Sequence, residues 1–86
     1  MIIRTTKSFD KQFAKLRPSL KLQFKIKLEI FRQNTFDSRL RNHALTGKYK
    51  SYRSINVTGD VRALYTEKDD QIIIFGFIGR HAQLHK

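Results

Sequence analysis

Three side chains from residue 43 onward are the candidates for moving protons: His43, Asp60 and His81. They are interleaved with the cations Arg53, Arg62 and Arg80, and with Lys48 and Lys50 beside Tyr49 and Tyr52. Histidine suits proton transfer because its ordinary pKa, about 6.5, lies near working pH. A guanidinium grips a phosphate through two parallel hydrogen bonds and stays charged throughout. These groups are enough to cleave RNA without a metal. That reaction needs a base for the 2′-hydroxyl proton, positive charge on the phosphorane oxygens and an acid for the departing 5′-oxygen. Asp60 can orient a histidine or handle a proton itself. Each residue also has a plainer explanation. His43 reads as an exposed loop residue, and Asp60 follows Gly59 as in ordinary turns. Tyr49 and Tyr52 suit a half-buried strand, and His85, next to the last residue, suits a solvated end.

Other chemistries are poorly supplied. There is no glycine loop to cradle a phosphate, no nucleophile elbow and no metal-binding helix signature. His81 and His85 are four apart, as on one helical face, but no carboxylates cluster near them and the chain has no cysteine. Zinc is therefore not expected, and neither is a disulfide framework or any other cofactor.

Charge narrows the partners. The 86 residues carry 18 Lys and Arg against 7 Asp and Glu, a formal +11. Residues 1–50 hold 13 basic and 3 acidic side chains, residues 51–86 only 5 and 4. Such an excess points to a polyanion: RNA, DNA or an acidic protein segment. The length suits one domain, residues 1–86, with one modest core. No apolar run approaches the roughly 20 residues that span a bilayer. The first residues, MIIRTTKSFDKQF, turn charged too early for a signal peptide, so a cytoplasmic location and no membrane contact are expected.

The elements that must hold the candidate groups follow from periodicity. Residues 1–5 read as a short strand. Ser8 or Thr6 can cap a helix in which Phe9, Phe13 and Leu16 recur on one face, and Pro18 is expected to end it. Residues 20–31, LKLQFKIKLEIF, alternate like a strand, yet the segment runs unbroken from residue 19 to 33 and is rich in helix formers. It is predicted as a helix with two apolar stripes, Leu20, Phe24, Leu28 and Phe31 opposite Leu22, Ile26 and Ile30, both needing cover. Residues 34–42 form a polar connector anchored by Phe36 and Leu40. Residues 52–57 and 61–65 make a hairpin about Thr58, Gly59 and Asp60, with Ile55 and Val57 on one face and Tyr52, Ser54 and Asn56 on the other. After an acidic turn at 67–70, residues 71–78 read as a strand buried on both faces, with Gly76 at a bulge or close approach. Phe24 and Ile74 are expected in the core, and His43, Asp60 and His81 outside it. The predicted order is β-α-α-β-β-β, an α+β fold.

The residues His43, Ala44, Leu45, Gly47, Tyr52, Arg53, Asp60 and Tyr65, with the tail Gly79, His81 and Leu84, carry a resemblance. In their order and spacing the chain resembles the RelE/ParE-like toxins of bacterial toxin–antitoxin pairs, and within them the YafQ branch. The resemblance spans the whole chain and is strongest from His43 onward. It implies two N-terminal helices packed on a twisted antiparallel sheet, and a ribosome-dependent mRNA endonuclease that inhibits translation. The implied partners are the ribosome, mRNA and a cognate antitoxin, acidic or partly disordered, in a toxin–antitoxin hetero-oligomer. By position, His43, Asp60 and His81 match the family's catalytic residues, with His43 favoured as base and His81 as acid. Lys48, Lys50, Arg53, Asn56, Arg62, Arg80 and His85 are the expected RNA contacts. Asn56 stands where close relatives have a histidine, Ser54 where they have an aspartate and His85 where they have an aromatic residue. Asn56 cannot transfer protons, whereas an imidazole at His85 can stack on a base. Two other readings remain: a ParE-like inhibitor of a DNA topoisomerase, and an RNA-binding domain without catalysis.

Overall fold

The computed structural model describes residues 1–84. Strand β1 (Ile2–Thr5) leads into helices α1 (Lys7–Ala14) and α2 (Pro18–Gln33). A connector with one 3-10 turn at Ser38–Leu40 reaches the two-residue strand β2 (His43–Ala44). A second 3-10 turn, Gly47–Tyr49, precedes β3 (Arg53–Asn56), β4 (Val61–Lys68), β5 (Ile72–Arg80) and a last short helix, α3 (His81–Leu84). The strands form one sheet in the order β1-β5-β4-β3-β2. The predicted α+β architecture is borne out, including the meander β3-β4-β5, in which each strand runs antiparallel to its neighbour. The short strand β2 extends this meander, and β1 joins the far edge parallel to β5.

Residues 20–31 are helical, and the reason lies in the stripe that contains Phe24 and Phe31. Both rings are buried, packing on Phe75 and, for Phe31, also on Tyr65. Full burial of a phenylalanine side chain stabilises by about 1.5–3 kcal/mol, which outweighs a weak local preference for strand. The opposite stripe is not covered as expected: Leu22 and Ile26 remain 56% and 45% exposed. Thr6 is the α1 cap, its Oγ1 accepting from the Phe9 amide at 3.1 Å and donating to the Gly76 carbonyl at 2.8 Å. Pro18 does not end α1, which stops at Ala14; it opens α2 as its first residue. A proline fits there because its missing N–H is one that the first helical turn leaves unused, and its φ is already helical.

The core lies between these helices and one face of the sheet, where Ile55, Val57, Val61, Ala63, Tyr65, Ile73, Phe75 and Ile78 are buried. Ile74 belongs to the other face and is only half-buried, so it is not the core residue expected. Strand β5 is correspondingly buried fully on one face and partly on the other. Leu40 anchors the connector as expected, but Phe36 is 65% exposed. Gly76 is both a bulge and a close approach. Leu64 pairs with Phe77 and Tyr65 with Phe75, so Gly76 is the extra residue. A Cβ on Gly76 would lie 2.9 Å from the Tyr52 ring. The β4–β5 turn uses consecutive left-handed residues, Asp69 at φ 56° and Asp70 at φ 61°, a geometry that short aspartates tolerate.

Candidate active site

Residues opposite one another in a ladder project to the same face, so the register sorts the candidate side chains. His43 pairs with Ser54, Ser54 with Leu64, and Leu64 with Phe77. The next row is Asn56, Arg62 and Gly79. Both rows lie on the sheet face turned away from α1 and α2. Arg53 pairs with Tyr65 and therefore lies on the opposite, helix-facing side.

At one end of the outer face the hairpin turn and the end of β5 meet. Thr58 shapes the turn, its Oγ1 accepting from the amides of Asp60 and Val61, while the Val57 and Thr58 amides both donate to the Val61 carbonyl. Lys27 of α2 donates to the Val57 carbonyl at 3.0 Å. Arg62 Nη1 reaches back to the carbonyls of Thr58 (3.1 Å) and Gly59 (2.9 Å), so its guanidinium is held over the turn. Asp60 forms an ion pair with Arg80, with both side chains about half exposed. The His81 amide donates to the Asp60 carbonyl at 2.8 Å, which seats the start of α3 against the turn. Burial of Leu84 and the bond from the Arg80 amide to Gln83 Oε1 (3.1 Å) secure α3. Arg80 pairs with the core residue Val61 and so projects to the helix-facing side. A cleft of about 600 Å³ opens beside it there, with Lys15 and Arg17 adding cations and Leu16, Leu20 and Ile78 apolar walls.

Asp60, Arg80 and His81 are thus brought together, with Asn56 and Arg62 one row away. His43 is exposed on the edge strand, its Nδ1 bonded to the Arg41 carbonyl at 2.8 Å. Three strand spacings, about 14 Å, separate β2 from β5, so His43 and His81 stand at opposite sides of the face. Between them Tyr52 and Tyr49 pack on Phe77, and Lys48 lies 5.1 Å from the Tyr49 ring centre. Tyr52 is committed to this cluster and to the space above Gly76. Lys48 and Lys50 are exposed. His85 lies outside the described residues. Among the described residues no group of three His, Cys, Asp or Glu side chains can hold a metal ion.

Arg53 is the clearest departure from an expected role at this face. Its Nε donates to Asn42 Oδ1 at 2.7 Å, and Asn42 Nδ2 donates to Tyr65 Oη (2.7 Å) and the Thr35 carbonyl (3.0 Å). Sequence reasoning also missed that Ser54 is buried: it is 1% exposed and its Oγ has no hydrogen-bond partner. Alternation places Ser54 on the outer face, and nothing local reveals that this face is roofed there. Its match to an aspartate position was the one available signal.

The family model for YafQ, the bacterial toxin of type II toxin–antitoxin systems, matches residues 1–86. Among solved structures the chain is similar to a copper-bound mutant toxin from Helicobacter pylori, with 28% identity, 98% of each chain covered and a TM-score of 0.72. It is similar to the toxin in the E. coli DinJ–YafQ complex at 24% identity, covering 98% of this chain and 97% of that one, TM-score 0.72. It also resembles the YoeB/ParE toxin from Agrobacterium tumefaciens at 15% identity, covering 94% and 99%, TM-score 0.78. The last two likenesses concern the fold alone. Comparison with curated proteins finds no match.

Proposed function

The chain belongs to the YafQ family of bacterial type II toxin–antitoxin toxins, and we propose that it is a ribosome-dependent endoribonuclease. On this reading residues 1–86 act as one domain that cuts mRNA by metal-independent acid–base chemistry. A cognate antitoxin with an acidic or partly disordered segment neutralises it, as DinJ accompanies YafQ in the E. coli complex. The observation that carries the reading is the outer sheet face. It is turned away from α1 and α2 and carries Asn56 and Arg62. At its end the hairpin turn meets the start of α3, where Asp60 pairs with Arg80 and accepts from the His81 amide, Arg80 itself projecting to the helix-facing side.

The roles are carried over from the family resemblance. His81, tied through its amide to Asp60, protonates the 5′-oxygen as the P–O5′ bond breaks. His43 takes the 2′-hydroxyl proton as the 2′-oxygen bonds to phosphorus, leaving a cyclic phosphate. Arg62 bears the developing negative charge, Arg80 steadies Asp60 through their ion pair, and Asn56 donates hydrogen bonds without moving protons. Because β2 is the far edge strand, the RNA must bridge the face for both histidines to reach one phosphodiester, and catalytic contacts often tighten only with substrate bound.

Single-turnover cleavage on ribosomes programmed with mRNA tests this. Replacing His81 or His43 by alanine is expected to slow cleavage by about 10²–10⁴-fold with mRNA binding little changed. A 2′-deoxy nucleotide at the cut position is expected to abolish it, and chelators to leave it unchanged. Cleavage of the 2′-deoxy substrate would mean that an external water attacks. Intact mRNA with stalled DNA replication after expression would replace this reading with topoisomerase inhibition.

A further inference from the structure

Behind the outer face, on the helix-facing side, one apolar ring has no place in the core. Phe36 is 65% exposed, the most exposed large hydrophobic residue described. It is also held in position. Its amide donates to Asn34 Oδ1 at 3.1 Å, and the preceding Thr35 carbonyl accepts from Asn42. Arg53 places its guanidinium carbon 5.2 Å from the ring centre. Only Nε of Arg53 is engaged among the described hydrogen bonds, leaving the Nη edge available. Behind it Asn42 locks to Tyr65, a buried core residue, so the ring and cation stand on a rigid support.

A tether for the connector would need the Arg53–Asn42 bond but not an aromatic ring left in water. The surroundings are cationic: Arg32, Arg39 and Arg41 lie on the adjoining segments. The nearby acid Asp37 is already committed, with two bonds of 2.9 Å to the Arg39 side chain. Arg53 covers one side of the Phe36 ring. The exposed remainder offers a flat apolar surface beside a guanidinium, the pairing that takes a base by stacking and its phosphate by hydrogen bonds.

We infer that Phe36 and Arg53 form a second RNA-docking platform, on the side of the sheet opposite His43 and Arg62, which holds one unpaired nucleotide. This rests on the reading of the chain as a ribosome-directed nuclease. The nucleotide belongs to ribosomal RNA, because the mRNA to be cut lies on the opposite face with His43 and Arg62. An acidic protein segment is the competing occupant, but a planar guanidinium beside an open ring face fits a base with its phosphate better, and antitoxin binding is measured alongside.

The test measures binding of wild type, Phe36→Ala, Phe36→Trp and Arg53→Lys to vacant ribosomes, to ribosomes carrying mRNA with a 2′-deoxy cut site, and to the antitoxin. Amide spectra confirm folding. Phe36→Ala is expected to weaken ribosome binding by about ten-fold or more, with Phe36→Trp restoring it. Arg53→Lys is expected to weaken it less, because a lysine keeps the charge without the planar fork. Loss on vacant and programmed ribosomes alike is expected; loss only on programmed ones assigns the contact to mRNA and overturns the ribosomal assignment. Unchanged ribosome binding in Phe36→Ala, or a loss confined to the antitoxin, overturns the platform. If wild type binds no ribosome, the nuclease reading fails separately. The platform is then judged on a single-stranded RNA oligonucleotide, where equal affinity of wild type and Phe36→Ala refutes it.

Discussion

Replacing Gly76 by alanine tests how the aromatic cluster on the outer face is seated. Gly76 does not lie at positive φ, since among the described glycines only Gly47 does. Alanine can therefore adopt its backbone, and the obstacle is space alone. The added methyl would stand 2.9 Å from Tyr52 Cε1, 3.1 Å from its Oη and 3.4 Å from Cζ. Restoring an ordinary carbon–carbon separation of 3.5–4.0 Å requires the ring to move by roughly 0.6–1.1 Å. Tyr52 is not free to do so cheaply, because its ring packs against Tyr49 and Phe77 with centroids 6.0 and 5.6 Å away. The expected cost is about 1–3 kcal/mol, the usual range for overpacking. Urea denaturation of Gly76→Ala, Tyr52→Ala and the double variant closes the cycle. With the Tyr52 ring gone, Gly76→Ala should be neutral or stabilise by about 0.4–1 kcal/mol, through lower entropy of the unfolded chain. An equal penalty in both backgrounds would refute the argument and place the cost in the bulge itself.

The same denaturation assay separates site from core. Phe24→Ala should cost about 2–5 kcal/mol, half-buried Ile74→Ala less, and His81→Ala under about 1 kcal/mol; if His81 matched Phe24, it would be structural. Leu22→Lys or Ile26→Lys, at exposed positions on α2, should leave stability within about 0.5 kcal/mol while weakening the antitoxin complex in calorimetry. That complex should also weaken as salt rises, and an affinity flat across salt would refute the electrostatic part. Asp37 is held at a pKa of about 2, below its ordinary 3.8, by its side-chain hydrogen bond to Arg39. Because the folded value is depressed, its stabilising contribution is present above about pH 4 and lost as pH falls through about 2. Carboxyl NMR should show that low midpoint and its return toward 3.8 in Arg39→Gln; an unshifted midpoint in that variant would refute the attribution.

Much of the molecule was legible in the sequence because local chemistry and burial agree there. Helix formers without a breaker carried residues 20–31 over their strand-like alternation, and the meander followed from apolar runs separated by turn residues. Gly76, a small residue in the middle of an apolar run, marked the bulge. The order and spacing of His43, Asp60, His81 and the residues around them carried the family. What the sequence could not decide is anything set by register between distant segments. Tyr52 and Arg53 are adjacent, yet one ring roofs the outer face and the other side chain turns to the helices, because successive residues of a strand project to opposite sides. Pairing β3 with β4 then fixed Arg53 beside Tyr65 and away from Arg62. Ile74 and Ile73 look alike in sequence, and only the side on which the helices pack made one core and the other not. The ion pair of Asp60 with Arg80 joins residues 20 apart, and the 14 Å or so between β2 and β5 parts two histidines that chemistry alone would pair.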